Sequence, residues 1–547
     1  MTDGTDPTKV EWNDWGQEAF DIADRSGKPV LLALVTDWAE ECAEMDETTY
    51  AEPRIAANIN DGFVPIRVDA DRHPRVRERY NMGGFPSTVF LTPSGDILTG
   101  ATLLGVDGFR GILDSVRETW DTKGEDAGSK PRAVRDDVPP SGPITDRIEE
   151  HMIEQLLGAY DDEFGGWGTD AKFPMPRTIE FALVRARDQA TRTLEAIHTH
   201  LLDTYDGGFY RVARNRNWGA ARREKLLDEN AATIRAFAHG YRYTGNETYR
   251  EAAEQGVEYL TTTLWTGDAF AASQGGDEEY FTLDPTARED AEGPPVDETV
   301  LADRNGVAID GLLQYVAYTD DEQARQYARR AREHVVETLV DDGEVTHFVA
   351  DDETGESGLL LDQARVLQGL ATSWSVLGEP GPAVAVADWM IDQLQADSGE
   401  FHDGPVSDVA LLDTPLSPLD TNVSAAQALL DLALLTGEDR YETAAREAIE
   451  AFAGAADRMG VEVAEFASAA ARLQSPQVIE VGTDPGSDLH RAALRLADHE
   501  TVVAPRTDAD VESAAAELAD GTARLLVDGE EQGTADSPAE LESLLTD

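Results

Sequence analysis

A chain of 547 residues is long enough for two to four domains, and 41% hydrophobic content excludes a disordered acidic polymer despite a formal charge of −62. Only six of the 45 cations are lysines. An acid-rich, lysine-poor surface over an ordinary core suits a very salty cytoplasm, where molar salt screens charges beyond about 3 Å. The missing basic stripe argues against a nucleic-acid partner. One cysteine excludes an intramolecular disulfide and a cysteine-based zinc site. With no signal-like N-terminus and no apolar run of 18 residues, the expectation is a soluble, cytoplasmic protein without a membrane partner.

In chain order, residues 29–35 (PVLLALV) form a buried strand, and Asp37-Trp38-Ala39-Glu40-Glu41-Cys42 opens an acid-rich helix. Residues 63–68 (FVPIRV) form a second strand, followed by a helical stretch through Tyr80. Gly84-Phe85-Pro86-Ser87-Thr88 leads into a strand at 89–91, a Pro-Ser-Gly-Asp turn and a strand from Ile97 complete a hairpin, and a helix runs over about 109–120. This order, βαβ then αββα, resembles the thioredoxin fold over residues 1–121. The resemblance implies a cis bond before Pro86 and a Cys-x-x-Cys pair after Trp38. The four positions read Ala39-Glu40-Glu41-Cys42, so the attacking thiol is absent and only the resolving position keeps sulfur. The surrounding carboxylates disfavour a thiolate. Cys42 reads as a packing residue, with a monothiol that forms mixed disulfides as the alternative.

Residues 122–143 are charged and rich in Gly and Pro, the composition of a linker. Over 144–474 helix follows helix, and the pattern repeats. The segment at 243–253 (YTGNETYREAA) has a near copy at 435–445 (LTGEDRYETAA). Gly-aromatic loops recur at Gly166-Trp167, Gly208-Phe209, Gly267 to Phe270, Gly343 to Phe348 and Gly399 to Phe401. Their spacing of about 40 to 75 residues exceeds the 34 of an open TPR superhelix and points to six αα-hairpins closed into an (α/α)6 toroid. The Gly-aromatic loops are then expected at one mouth of a central funnel, where aromatic faces stack on sugar rings. Residues 475–547 alternate strand and helix (477–481, 488–497, 501–504, 510–519, 523–527, 538–545) as a small α/β unit without a phosphate-binding glycine fingerprint.

Three segments carry residues that are costly to explain as surface. In 161–174 (DDEFGGWGTDAKFP) stand Trp167, Phe173 and one of the rare lysines, Lys172. In 218–231 (WGAARREKLLDENA) stand Trp218, Glu224, Lys225, Asp228 and Asn230. Glu224 and Asp228, at i and i+4, share a face of a helix and can split into acid and base. In 296–306 (VDETVLADRNG), Asp303 and Asn305 precede a helix, where they also suit caps. His347 and His402 sit on the mouth loops.

These motifs together resemble the family named after spermatogenesis-associated protein 20, called DUF255 proteins in prokaryotes, which joins a thioredoxin-like domain to a six-hairpin toroid similar to glycosidases and N-acylglucosamine 2-epimerases. The family's GGFG-x-APKFP is matched at 165–174, its EKMLYDNA at 224–231, its W-N-G at 304–306 and its P-S-G-N-S at 419–423. From the three segments, Glu224, Asp228 and Asp303 are the candidate catalytic carboxylates. The candidate ligand contacts are Trp167, Lys172, Phe173, Phe209, Trp218, Arg222, Lys225, Asn230, Asn305, His402 and Asn422. The family's histidine before Glu-Lys is Arg222 here, which argues against a histidine-based epimerase mechanism. The expected ligand is a small carbohydrate-like molecule to be bound, hydrolysed or isomerised, with no cofactor and no metal. The alternatives are a non-catalytic scaffold and a thiol-linked protein acting through Cys42. The oligomeric state is not legible.

Overall fold

The computed structural model describes residues 8–131, 134, 139–350, 353–507 and 513–546. The chain divides into two compact units, one of Met1–Val138 with Gly275–Asp277 and Gly404–Leu416, the other of the remaining residues.

The first unit opens with a helix absent from the sequence reading, α1 (Gln17–Ser26), followed by β1 (Val30–Val35), α2 (Glu40–Glu47), α3 (Pro53–Gly62), β2 (Val64–Asp69), α4 (Pro74–Tyr80), β3 (Ser87–Leu91), β4 (Ile97–Ala101) and α5 (Val106–Lys123). The strands lie in the order β2-β1-β3-β4, with β1 parallel to β2 and antiparallel to β3. β1 is buried throughout because it is central and covered on both faces. Val30, Leu32 and Leu34 enter one core, and Leu31 and Ala33 enter the other with Phe109 and Leu113 of α5. The Phe85–Pro86 bond is cis, as the thioredoxin-like order implies.

The sequence reading placed the whole of 122–143 in a linker, and here the structure differs. α5 runs on to Lys123, a 3-10 turn spans Gly124–Ala127, and Ser129 exchanges two backbone hydrogen bonds of 3.0 Å with Ile97. Pairing against an open strand edge outweighs the loop-like composition.

Residues 404–416 also belong to the first unit. Leu411 and Leu416 lie in the core that holds Val30 and Leu32. Arg75 donates to the carbonyl of Pro405 (2.7 Å), and Arg79 to those of Leu411 (2.8 Å) and Thr414 (2.7 Å). Both arginines are buried.

The second unit contains α6 (Asp146–Gly158), α7 (Pro176–Arg185), α8 (Arg187–His200), α9 (Leu227–Thr244), α10 (Glu247–Thr262), the short α11 (Glu278–Phe281) and α12 (Pro285–Asp290), α13 (Ala302–Thr319), α14 (Glu322–Leu339), α15 (Leu360–Leu377), α16 (Ala383–Leu394), α17 (Leu419–Thr436), α18 (Asp439–Ala453) and α19 (Ala464–Gln474). α7, α9, α13, α15, α17 and α19 each pack on the next, and α19 packs back on α7, which closes a ring of six. α8, α10, α14, α16, α18 and α6 back these inner helices from outside. This is the (α/α)6 toroid. The inner helices are buried nearly all round, which is why α13, α15 and α17 read as apolar with little amphipathic bias.

The C-terminal part holds strands Gln477–Val481, Thr501–Pro505, Ala523–Val527 and Glu530–Ala535 with helices α20 (Asp488–Leu496) and α21 (Pro538–Thr546). Glu530–Ala535 is a strand absent from the sequence reading. Of the expected helix over 510–519, residues 510–512 lie outside the described residues and 513–519 form turns. The first strand runs parallel to the second and antiparallel to the third, the fourth follows the third, and the order across the sheet is second, first, third, fourth. That is the topology of the first unit's sheet. A register shift interrupts the last pairing in both, at Phe90/Leu91 and at Leu525/Leu526. The second sheet has neither a cysteine nor a proline ahead of its third strand.

No helix among the described residues is long and apolar enough to cross a membrane.

Candidate functional site

The six inner helices begin around a common cavity of about 430 Å³. The second residue of five of them lines it: Arg177, Asp228, Leu361, Asp420 and Glu465. Helix N-termini carry partial positive charge, so carboxylates gathered there are stabilised. Phe173, Pro174, Met175 and Pro176 add an apolar wall that Val307 and Leu361 continue, while Arg211, Asp228, Glu229 and Arg365 supply polar groups.

The polar groups are linked through arginines. Arg211 Nε donates to Glu229 Oε1 at 3.3 Å, and its Nη1 lies 3.6 Å from Glu224 Oε1. Arg365 Nη1 donates to Asp303 Oδ2 at 2.8 Å and lies 3.5 Å from Asp228 Oδ2, and Arg304 Nε stands 3.7 Å from Asp228 Oδ1. Glu229 lies deep in the molecule, yet its side chain keeps 37% of its surface, which opens on the cavity. Burial pushes its carboxyl up to about 7 and the charge of Asp228 adds to this, while Arg211 works against it. Burial likewise raises Glu465, with Arg177 opposing.

Below the cavity, Arg235 donates to Glu180 Oε1 (2.8 Å) and to Asp310, and Asp310 Oδ1 accepts from Thr372 Oγ1 at 2.7 Å. These groups lead into a smaller polar chamber of about 60 Å³ lined by His239, Gln314, Asp431 and Arg472 and, from the C-terminal part, by His499 and Glu500.

Asp303, His347 and Asp362 have donor atoms within 4.8 Å of one another and are the group among the described residues with the chemistry of a metal site. His347 Nδ1 is 2.9 Å from Asp362 Oδ1, an oxygen that also accepts the Asp303 backbone N–H at 3.1 Å. Arg365 takes Asp303 Oδ2, so a guanidinium already supplies the positive charge a cation would bring.

Of the three carboxylates read as catalytic, Asp228 lines the cavity, Asp303 stands behind it on Arg365, and Glu224 is buried against Arg211. Glu224 and Asp228 do not share a helix face. α9 starts only at Leu227, because Lys225–Leu226 is drawn into a strand paired with Ser273–Gln274. Asp303 and Asn305 lie inside the first turn of α13 rather than before it.

Most residues read as ligand contacts are enclosed. Lys172 Nζ donates to Asp161 Oδ2 (3.0 Å) and to the carbonyl of Gly168 (2.7 Å), and both it and Lys225 are 0% exposed. Trp167, Phe209 and Trp218 are buried, as are Phe270, Phe348 and Phe401, so the Gly-aromatic loops turn their rings into the core instead of lining a mouth. Burying a ring against a neighbouring helix removes more apolar surface from water than exposing it at a rim.

The asparagines explain how these loops are held. Asn230 Oδ1 accepts the N–H of Phe209 (2.6 Å) and its Nδ2 donates to the carbonyls of Phe209 (3.1 Å) and Leu226 (2.9 Å). Asn305 does the same to Phe270 and Leu301, and Asn422 to Phe401 and Pro418. All three are loop clamps without surface for a ligand. Arg222 pairs through its backbone with Val212, and His402 lies 3.4 Å from Ser417 Oγ, both away from the cavity wall. His347 is buried in its pair with Asp362. Phe173, half exposed at the cavity, is the aromatic that remains available.

The sequence reading missed Glu229, Asp420, Arg211 and Arg365. A signal for Asp420 exists: Asp-x-Asn recurs at 228–230, 303–305 and 420–422, each at the start of an inner helix. The asparagine clamps the preceding loop, and in two of the three copies the aspartate faces the cavity.

Cys42 is buried at 4% exposure and its thiol is pushed up to about 11, burial outweighing its hydrogen bonds to Thr36. Residues 4–138 match the family described as "Protein of unknown function, DUF255". This stretch is a DUF255 domain. The chain is 28% identical over 295 residues to spermatogenesis-associated protein 20 of Homo sapiens, covering 47% of this chain and 37% of that protein. It is 26% identical over 306 residues to an uncharacterized protein of Caenorhabditis elegans, covering 49% and 41%. The matches thus span about two fifths of those relatives' length. Among solved structures, a sugar epimerase from a ruminal bacterium overlays 55% of this chain and 85% of its own at 12% identity and a TM-score of 0.46.

Proposed function

We propose that the toroid binds a small, polyhydroxylated, carbohydrate-class molecule in its cavity. The observation that carries this reading is the two-sided wall. Phe173, Met175, Pro176 and Val307 offer an apolar face to ring C–H groups, and Arg211, Glu229, Asp228 and Arg365 offer fixed donors and acceptors to hydroxyls. A volume of about 430 Å³ falls in the range of roughly 300–1,000 Å³ of small-molecule sites. A buried Cys42 without a partner thiol supports a structural rather than redox role for the DUF255 domain. The acid-rich, lysine-poor composition supports a protein of a salty cytoplasm without a nucleic-acid partner.

The test is a thermal-shift screen of mono- and disaccharides, sugar acids and amino sugars in molar potassium chloride, repeated on Arg365→Ala. A cavity ligand raises the melting temperature of the wild type in proportion to its saturation, and the variant loses the shift. Shifts that persist in Arg365→Ala place binding elsewhere and refute the reading.

A further inference from the structure

Every arginine on the cavity wall is already shared between two carboxyl groups. Arg177 stands 3.4 Å from Glu180 and 3.4 Å from Glu465, and Arg211 lies between Glu224 and Glu229. Arg235 is held by Glu180 and Asp310, and Arg365 by Asp228 and Asp303. Among the described residues no lysine or histidine lines the cavity. Six carboxyl groups face it against four arginines, and Glu180, Glu224 and Asp303 draw on the same four from behind. Arg304, behind Asp228, adds a fifth cation. Even with Glu229 holding its proton up to about 7, the lining carries an excess of negative charge.

That excess is on one side. Asp420, the second residue of α17, and Glu462, in the turn Val461–Val463 that leads into α19, both face the cavity and are exposed there. Among the described residues no Arg, Lys or His lies within 4 Å of either. Asp420 accepts from the hydroxyl of Thr421 at 3.4 Å, while Ser424 Oγ, also on this wall, donates to the Asp420 carbonyl instead. α17 and α19 are neighbours in the ring, so Asp420, Glu462 and Glu465 share a wall. Burial raises the Glu465 carboxyl and Arg177 opposes, but the charge of Asp420 adds to the rise. On a convex surface in molar salt such charges are screened within about 3 Å. In a cavity closed by Phe173, Met175 and Pro176 the screening is weaker and an uncompensated charge acts more strongly on what enters.

We propose, building on the carbohydrate-binding reading, that the ligand is a cationic member of its class, a polyhydroxylated molecule with a free ammonium group such as an amino sugar, its ammonium seated on the Asp420–Glu462 wall and its hydroxyls toward Arg211 and Arg365. An ammonium brings three donors and a charge to two carboxylates that lack a cationic partner. An N-acetylated amine is neutral with a single donor, and it gains nothing over the hydroxyl it replaces. A sugar acid adds a carboxylate to a lining already rich in them and is rejected.

The experiment is isothermal titration of the full chain in molar potassium chloride at about pH 6, below the range in which amines lose their proton. The probes are glucose, galactose and mannose, their 2-amino and 6-amino deoxy counterparts, the N-acetyl forms of these amines, and the matching uronic acids. The best amine should bind about tenfold or more tighter than its hydroxyl parent, as a charge-assisted hydrogen bond replaces a neutral one. Its N-acetyl form should show no such gain. The double variant Asp420→Asn, Glu462→Gln should lose the difference between amine and parent while leaving the affinity for the neutral parent nearly unchanged. Neutral sugars that bind as tightly as every amine, a uronic acid that binds tightest, or an amine preference that survives in the double variant would overturn the proposal and leave the binding reading intact. If no saccharide of either kind binds the wild type, the binding reading itself fails. The comparison of amine with parent on the wild type stands whether or not the variant folds.

Discussion

Lys225 Nζ lies 2.9 Å from Asp203 Oδ2 and donates to the carbonyl of Gly207 at 2.7 Å, repeating one hairpin later the contact that Lys172 makes with Asp161 and Gly168. Two of the six lysines thus lock two Gly-aromatic loops from inside. Burial pushes the Lys225 ammonium below its ordinary value, with Asp203 opposing. Asp203 also holds the buried Arg288 at 3.0 Å, so removing Lys225 leaves the carboxylate partly paired, while removing Asp203 strands the ammonium. Lys225→Met is therefore expected to cost about 1–3 kcal/mol, Asp203→Asn about 3–5 kcal/mol, and the double variant less than their sum. Urea unfolding of the four-member cycle measures this, and additive losses would show that the pair is not coupled.

Glu229 gives a pH signature. Its folded-state value of about 7 lies above that of an unfolded glutamate, so the native state binds the proton more tightly. Below the unfolded value of about 4.3 this group is neutral in both states and has no effect. As pH rises from there to 7, ionisation costs native stability, and above 7 the full cost is present. Discounted for contact with cavity solvent, the cost is about 1–2 kcal/mol. Glu229→Gln should therefore lose less stability than the wild type between pH 5 and pH 8. Parallel curves of melting temperature against pH would contradict it.

The strap at 404–416 is expected to carry much of the first unit's stability. Leu411→Ala should cost about 2–5 kcal/mol as a buried large-to-small change. Arg79→Met should leave the carbonyls of Leu411 and Thr414 without their donor at about 1–3 kcal/mol. Hydrogen exchange followed by mass spectrometry should show faster exchange in β1 and β3 in both variants. Unchanged protection there would remove the strap from the core.

Cys42 should be chemically quiet. A thiol at about 11 is ionised about 100-fold less at pH 8 than a free cysteine. Iodoacetamide should label the native protein at least that much more slowly than the urea-unfolded chain, and equal rates would show an accessible thiolate.

The thioredoxin-like strand order and the toroid were legible because each rests on patterns that tertiary contacts reinforce: a continuous apolar β1, a cis-proline position, and hairpins spaced by helix length. The site was less legible. Rare lysines and glycine-flanked aromatics do mark unusual environments, but in this chain the environment is a buried clamp. Asn230 and Asn422 look like ligand contacts until their amides are seen closing on Phe209 and Phe401. Glu229 was hidden because nothing in its neighbours reveals that Arg211 and Asp228 meet it in a cavity. The kinship of the C-terminal sheet to the first one was out of reach for a different reason: it resides in strand order, and strand Glu530–Ala535, with its exposed polar residues, lacks the apolar alternation that marks a strand.

The strap has a consequence in time as well. The first 138 residues leave the ribosome early, but Leu411 and Leu416, which complete their core, follow about 280 residues later. At roughly 5–20 residues per second the DUF255 domain waits about 15–55 s with Arg75 and Arg79 lacking their carbonyl acceptors. Its native state is reached only after most of the toroid has been made, shortly before the last inner helices, α17 and α19, close the ring.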